Sequence, residues 1–533
     1  MEFNNQNEER TPITAKEFLE LLKKDSSSSE SINLDGLSIN ESISLNSKDL
    51  SEKTIRINFN NCSLNYVSIS KIESQIDLNF RGCTILNLGI SQDFQRIENS
   101  VEIGLSIHKS NVKRIFVSRR SSISLDLLDS TIGEIESRAS IFTDFECRNV
   151  SFKNKLVIEN SKFNIARFED CSFEKYFTYY GSIITDKLTF KKCLFKDQFI
   201  FALKEKSTDL SNLKINIESC ETDDRMIFYG KYSSIENLFS YKQKGNLVIS
   251  DLNILNTEIQ GSHERNASYR FSSCNFNSFR CVGINSTFQL STIKSLGNES
   301  VFSIKTSDLN TSSFFDVNLK SFDSVIIEKS DFTNMTTSRV TWFEDKKLKT
   351  THKLEYETPY ERREFYRQLK YNQEKQGNKI QALTFQSLEM HYYSQELISK
   401  SPISNILLKN RFIAFFGQFI LAFKSQNHFI LWIGKSNNHG QSFLKPLAFL
   451  VVLGLIFNFL ILQSASPQSA MELFKKGNLK MLPSLLNPVH DISKLLHVEE
   501  PSFWTGVLDL TWKVIETTLI FQTITAFRKH VRV

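Results

Sequence analysis

Five residues near the end of the chain have the types and spacing for chemistry inside a membrane. Thr505, Asp509, Lys513, Glu516 and Thr523 recur at three- to seven-residue steps. On a helix they fall within roughly 80° of one another, while Leu510, Val514, Leu519 and Phe521 point elsewhere. A charge held at mid-membrane costs about 2.5–3.5 kcal/mol on insertion scales, so such residues face protein or water. Two readings stay open. Lys513 can reach Asp509 and Glu516 one turn away on either side, so the three neutralise one another and merely help helices pack, or 503–513 lies outside the hydrocarbon. Otherwise the stripe lines a pore. Two helices cannot enclose one, so conduction requires a homo-oligomer, with a tetramer the simplest ring. The stretch joining the last two apolar segments holds no TVGYG-like carbonyl filter, which disfavours a selective potassium channel.

A second group is basic: Lys346, Lys347, Lys349, Arg362, Arg363, Arg367 and Lys370. It reads either as a solvated helix face or as a contact for anionic lipid headgroups or an anionic ligand. "KRIFVSRR" at 113–120 adds a little positive charge but is not a binding motif. Other chemistry finds no support. The eight cysteines form no C-x-x-C pair and no histidine stands at ligand spacing, so no metal site and no cofactor are expected. Asp223, Asp224 and Arg225 are the best acidic cluster, but adjacent acids on a strand point to opposite faces. No GxSxG, Walker, HExxH or Rossmann pattern occurs, and the expectation is a protein that is not an enzyme.

The elements that position these residues differ sharply along the 533-residue chain, whose net charge is a mild +6 and which carries 45 Phe and 8 Pro. Residues 1–31 read as a short amphipathic helix followed by a flexible segment, without the basic and apolar regions of a secretory signal. Residues 32–342 show short alternating runs such as "IRINFN" and "NLVISDLNI", the pattern of half-buried strands. A small residue or cysteine, any residue, then Phe or Leu recurs in "NCSL", "DCSF", "KCLF" and "SCNF", with a period near 21 and a half-period near 10. Such a beat predicts a β-solenoid in which like side chains stack from coil to coil. Thiols without a signal peptide suggest a reducing compartment, where they act as small buried hydrophobes.

Residues 343–442 are charged and lose the alternation. Pro359 opens a helix, "QGNK" at 376–379 is a turn, and Phe365, Leu369, Ala382, Phe385, Leu388 and Met390 form an apolar stripe, together predicting a helical hairpin. Segments 410–423 and 428–434 are apolar but too short to span and suit the membrane interface. Residues 443–462 supply the roughly 20 apolar residues that a span requires, with Lys445 able to snorkel. Residues 503–527 are the second candidate span. Basic ends and an unbiased 463–502 connection place both termini in the cytoplasm with the loop outside.

The repeat resembles the pentapeptide-repeat proteins, which implies an irregular right-handed parallel β-helix with insertions where the beat fails, as in 200–260. "EFYRQLKYNQEKQGNKIQALTFQSLEM" and "SNNHGQSFLKPLAFL" are similar to the juxtamembrane segments of bacterial membrane-anchored pentapeptide-repeat proteins. The expected fold is therefore a β-solenoid, a helical collar and a two-helix transmembrane domain in a bacterial inner membrane. Proteins of this build resemble effectors of antiphage abortive-infection systems, the Hailong membrane effector among them. That resemblance implies a gated ion-conducting pore that depolarises the host, with a nucleotide or oligonucleotide signal as gating ligand and a regulatory partner protein. Fold does not fix function, and a non-conducting membrane-tethered scaffold is the rival reading.

Overall fold

The computed structural model describes residues 10–26, 31–46, 55–91, 101–118, 122–203, 212–261, 267–351, 358–400, 434, 437–440, 442–465, 487–493 and 502–531. The chain divides into two compact units, Met1–Leu354 and Glu355–Val533. The first is a β-solenoid of about 13 turns. Its 30 described strands form one continuous ladder whose pairings are parallel.

Each coil rises by one strand spacing, about 4.8 Å, so a residue meets its counterpart roughly one repeat later. Asn79 donates from its amide to Asn58, 21 residues earlier, and Asn58 in turn to Asn33. Inward-facing rings stack in the same way. Phe59 lies 4.7 Å from Phe80, Phe142 4.5 Å from Phe163, and Phe173 sits between Phe152 at 4.8 Å and Phe195 at 4.7 Å. These separations match the strand spacing, which accounts for the abundance of phenylalanine: one ring shape repeated at one spacing stacks on itself from coil to coil.

The small residue of the repeat turns a corner. It follows a residue held in the left-handed region, such as Asn61 (φ 53°), Lys109 (φ 48°), Asp129 (φ 50°) or Lys192 (φ 51°). The next side chain is buried and donates back to the carbonyl two residues earlier: Cys62 to Asn60 at 3.2 Å, Ser110 to His108 at 2.8 Å, Ser130 to Leu128 at 2.7 Å, and Cys193 to Lys191 at 3.4 Å. Cysteine and serine alternate in this role because each is small and carries one donor. All eight cysteines are free and buried, and burial pushes the Cys274 thiol up to about 12.

The paired spacing widens across three breaks, where Asp35 meets Asn60, Arg81 meets His108 and Lys191 meets Glu218; the intervening 47–54, 92–100 and 204–211 lie outside the described residues. Between 212 and 260, where the five-residue beat fades, the ladder persists through Lys214–Glu218, Glu221–Tyr241 and Lys244–Gln260.

The amino-terminal helix, α1 (Ala15–Ser26), is part of this unit. Thr11–Pro12 pairs with Leu37–Ser38, and Phe18 and Leu22 are fully buried, Phe18 lying 5.9 Å from Phe59. It covers the first coil, as solenoid ends require. At the other end the ladder runs on to Leu348–Lys349, so Lys346 and Lys347 belong to the solenoid rather than to the helical segment beginning at 343.

The second unit opens with α2 (Pro359–Lys375), set by a capping box in which Thr358 accepts from the Glu361 amide and Glu361 reaches back. Gly377 (φ 77°) makes the turn into α3 (Lys379–Ser399). The two helices pack through Phe365, Tyr366, Leu369, Ala382, Phe385 and Tyr392. Leu388 and Met390 are half-buried. Segment 410–423 and most of 428–434 lie outside the described residues. The unit closes with α4 (Leu444–Ala465) and α5 (Phe503–Val531).

Two predictions follow from the stacked coils. Phe173→Ala removes the middle ring of a column and should lower stability by about 3–5 kcal/mol, read by denaturant unfolding of the full chain. Hydrogen bonds from Lys155, Lys191 and Lys196 hold Glu136, Glu169 and Glu174 below the usual glutamate range. Their contribution is present above the unfolded-state value and lost as pH falls through the lowered folded values. The melting temperature should hold steady from pH 7 to 5 and fall below about pH 4.

Candidate functional site

α4 carries the most apolar sequence in the chain. Its stretch Leu444–Ser464, 21 residues, is long and apolar enough to cross a membrane, and only 22% of its most apolar part is buried. At about 1.5 Å per residue it reaches roughly 30 Å, the thickness of a hydrocarbon core. A soluble core helix of this character would be covered on most sides. Here Leu444, Phe449, Val452, Ile456 and Phe459 are exposed. Among the described residues no second helix meets the same test of length and apolarity; α5 is interrupted by charged residues and by threonines.

α5 runs antiparallel to α4. Ser464 and Thr505 share a hydrogen bond of 2.9 Å at one end, Phe457 stacks on Trp512 at 5.3 Å in the middle, and Phe443 meets Phe527 at 5.8 Å at the other. Asn437, ahead of α4, donates to the Gln522 side chain. Leu450, Ile461, Ile492, Trp512 and Leu519 form the apolar cluster between the helices.

The predicted stripe occupies this seam. Thr505 and Glu516 are fully buried, Asp509 is nearly so, Thr523 is half-buried, and Lys513 sits at the edge. The side chains turn toward α4 of the same chain. Leu519, expected off the stripe, lies within it together with Trp512 and Ala526, because positions 505, 509, 512, 516, 519, 523 and 526 follow the three-and-four spacing of a helix–helix seam. The outer face of α5 is apolar instead: Phe503, Trp504, Leu510, Val514 and Phe521 are each more than 60% exposed.

A charge chain runs through the seam. Lys513 donates to Asp509 at 2.8 Å, and the other Asp509 oxygen lies 2.6 Å from His490 Nε2. His490 Nδ1 lies 2.7 Å from the Asn487 carbonyl. Both ring nitrogens thus face oxygens, an arrangement that an imidazolium satisfies with two donors. Sequence reasoning missed His490: it lies 19 residues before Asp509 in the joining stretch, and no local spacing couples them. Ser464 and Asn458, on α4, were likewise outside the predicted set.

Glu516 differs from the rest. Both its carboxylate oxygens are buried without a hydrogen-bond partner among the described residues, as is Asn458 Oδ1 on α4. A buried unpaired acid costs several kcal/mol unless it is neutral or given a partner.

The predicted basic group does not gather into one site. Lys346 pairs with Glu344 at 2.8 Å, and Lys347 donates to the carbonyls of Lys320 and Phe322, all in the solenoid unit. In the helical hairpin Arg362 donates to the Tyr392 hydroxyl, Arg363 pairs with Glu396 at 2.6 Å, Arg367 with Glu364 at 2.7 Å and Lys370 with Glu389 at 2.8 Å. Three of these four bridge α2 to α3, so they hold the hairpin together. Of "KRIFVSRR", Arg114 pairs with Glu134, and Arg119 and Arg120 lie outside the described residues. Asp224 pairs with Arg225 at 3.4 Å. No group of three or more His, Cys, Asp or Glu positioned for a metal ion occurs among the described residues.

No family model, curated protein or solved structure matches the chain.

The two seam acids should respond oppositely to neutralisation. Asp509→Asn strips the counter-charge from Lys513 and His490 and should destabilise the helix pair by about 3 kcal/mol. Glu516→Gln keeps the shape, removes the uncompensated charge, and should leave stability equal or higher. Thermal unfolding of the detergent-solubilised chain reads both.

Proposed function

We propose that the chain is a two-span membrane protein whose α4–α5 hairpin anchors the β-solenoid as a binding platform. The observation that carries this reading is the inversion of α5, with ionisable groups turned to its partner helix and large apolar side chains turned outward. A helix in water is built the other way round, whereas in lipid an intramembrane charge faces protein. The solenoid offers long ladders of outward polar and charged side chains, the kind of surface that stacked repeats use to bind partners. The bacterial inner membrane and cytoplasmic termini belong to this proposal.

Conduction is the second reading, and Glu516 favours it. A tether has no need of a fully buried carboxylate that lacks a hydrogen-bond partner among the described residues, and ionisable residues within membrane helices generally mark ion or proton paths. With the stripe turned to α4, water reaches it only where the two helices part. A pore therefore requires a homo-oligomer, a tetramer being the simplest, in which seam contacts are exchanged between copies. A gating ligand such as a nucleotide, a regulatory partner protein and a role in antiphage defence belong to this second reading.

Val489, between the helices, is 86% exposed. Val489→Cys should react with a membrane-impermeant maleimide from outside intact cells, while the buried native cysteines stay silent; labelling only after lysis would overturn the two-span topology. Purified chain in liposomes should show no ion leak if it is a tether. A leak abolished by Glu516→Ala in a correctly assembled protein would replace the tether with the pore.

A further inference from the structure

At the opposite end of α5 from His490 lies an open cavity of about 460 Å3, a size typical of small-ligand sites. Its lining is divided by chemistry. Ala382 and Leu383 of α3 and Phe521 of α5 give it an apolar side. Lys379, at the start of α3, and Arg528, one turn from the end of α5, bring two cations, and Glu374 of α2 brings one carboxylate. The Thr525 hydroxyl donates to the Phe521 carbonyl at 2.8 Å, leaving it only lone pairs to offer a ligand.

We propose that this cavity holds the headgroup of a phospholipid bearing a primary amine, of the phosphatidylethanolamine class, with the start of its acyl chains against Phe521 and Leu383. The proposal rests on the reading that α4 and α5 cross the membrane. An amphiphile matches both halves of the lining, and basic pockets beside the inner ends of membrane helices suit lipid phosphates. Lys379 and Arg528 bracket the phosphodiester with charge-assisted hydrogen bonds. Glu374 then selects the rest of the headgroup. Ethanolamine presents an ammonium that can donate to the carboxylate; choline carries the charge without an N–H, and glycerol carries no charge.

The test uses the full chain in nanodiscs holding equal amounts of phosphatidylethanolamine, phosphatidylglycerol and phosphatidylcholine, with native mass spectrometry reading the lipid retained. One ethanolamine lipid per chain should be kept about tenfold over the other two, the ratio that 1.4 kcal/mol supplies. Lys379→Gln combined with Arg528→Gln should abolish retention, and Glu374→Gln should move the preference toward phosphatidylglycerol. Equal retention of the three lipids, or unchanged retention in the double variant, would overturn the proposal. Displacement by millimolar glycerophosphoethanolamine, which has the headgroup but no chains, would overturn the lipid assignment in favour of a soluble ligand. Alkaline extraction of the same cells separates the two levels. A chain washed off the membrane sinks the two-span reading itself, while a retained chain indifferent to lipid identity sinks only this one.

Discussion

Everything in the first unit depends on the fixed distance between parallel strands. Because one coil sits about 4.8 Å above the last, any side chain placed at a given position stacks on its counterpart, and a sequence that repeats chemically becomes self-complementary. Rings fall on rings, amides on amides, and small donors on the carbonyls of the corner. The stacks of Phe152, Phe173 and Phe195 and the amide run of Asn33, Asn58 and Asn79 are the same device applied to different chemistry. The corners rest on a compromise. A left-handed backbone at Asn61, Lys109 or Lys192 costs about 1 kcal/mol or more for a residue with a side chain, and at these corners the hydrogen bond from the following Cys or Ser offsets it.

The second unit solves a different problem with a different rule. Its two carboxy-terminal helices keep charge inside and apolar surface outside, so their interface is held by a few strong polar contacts set among Trp512, Phe457 and Leu519 rather than by burial of apolar surface alone. In the proposed lipid setting such contacts cannot be exchanged for water, which would make each of them matter more to register than to net stability. The Ser464–Thr505 bond at one end and the Asn437–Gln522 bond at the other bracket the charge chain of His490, Asp509 and Lys513 and fix which residues meet. The hairpin of α2 and α3 uses ion pairs for a related purpose: Arg363–Glu396 and Lys370–Glu389 tie two helices whose shared apolar stripe is narrow.

The two units also handle cysteine and acid in opposite ways. In the solenoid every thiol is buried, most of them beside a carbonyl, and the paired glutamates sit on the outer face, where solvent softens their electrostatics. In the helix pair the acids are the buried groups, and among the described residues neither Glu516 carboxylate oxygen has a hydrogen-bond partner.

The sequence by itself determined the solenoid, its period, the roles of its small and aromatic positions, the helix break at "QGNK" and the apolar stretch of α4, because each is local or strictly periodic and is written in consecutive residues. It also determined that Thr505, Asp509, Lys513, Glu516 and Thr523 share one side of a helix. Only the tertiary structure decided what that side faces. Periodicity gives an angle about the helix axis but not the neighbour at that angle, so the inward turn onto α4, the inclusion of Leu519 in the stripe, and the recruitment of His490 were not legible. The same limit applied to the basic residues, which are clustered in sequence but divided between two units, with Arg363 and Lys370 matched to acids 33 and 19 positions away in the helical hairpin. Charge in a sequence states what must be balanced, and the fold alone supplies the partner.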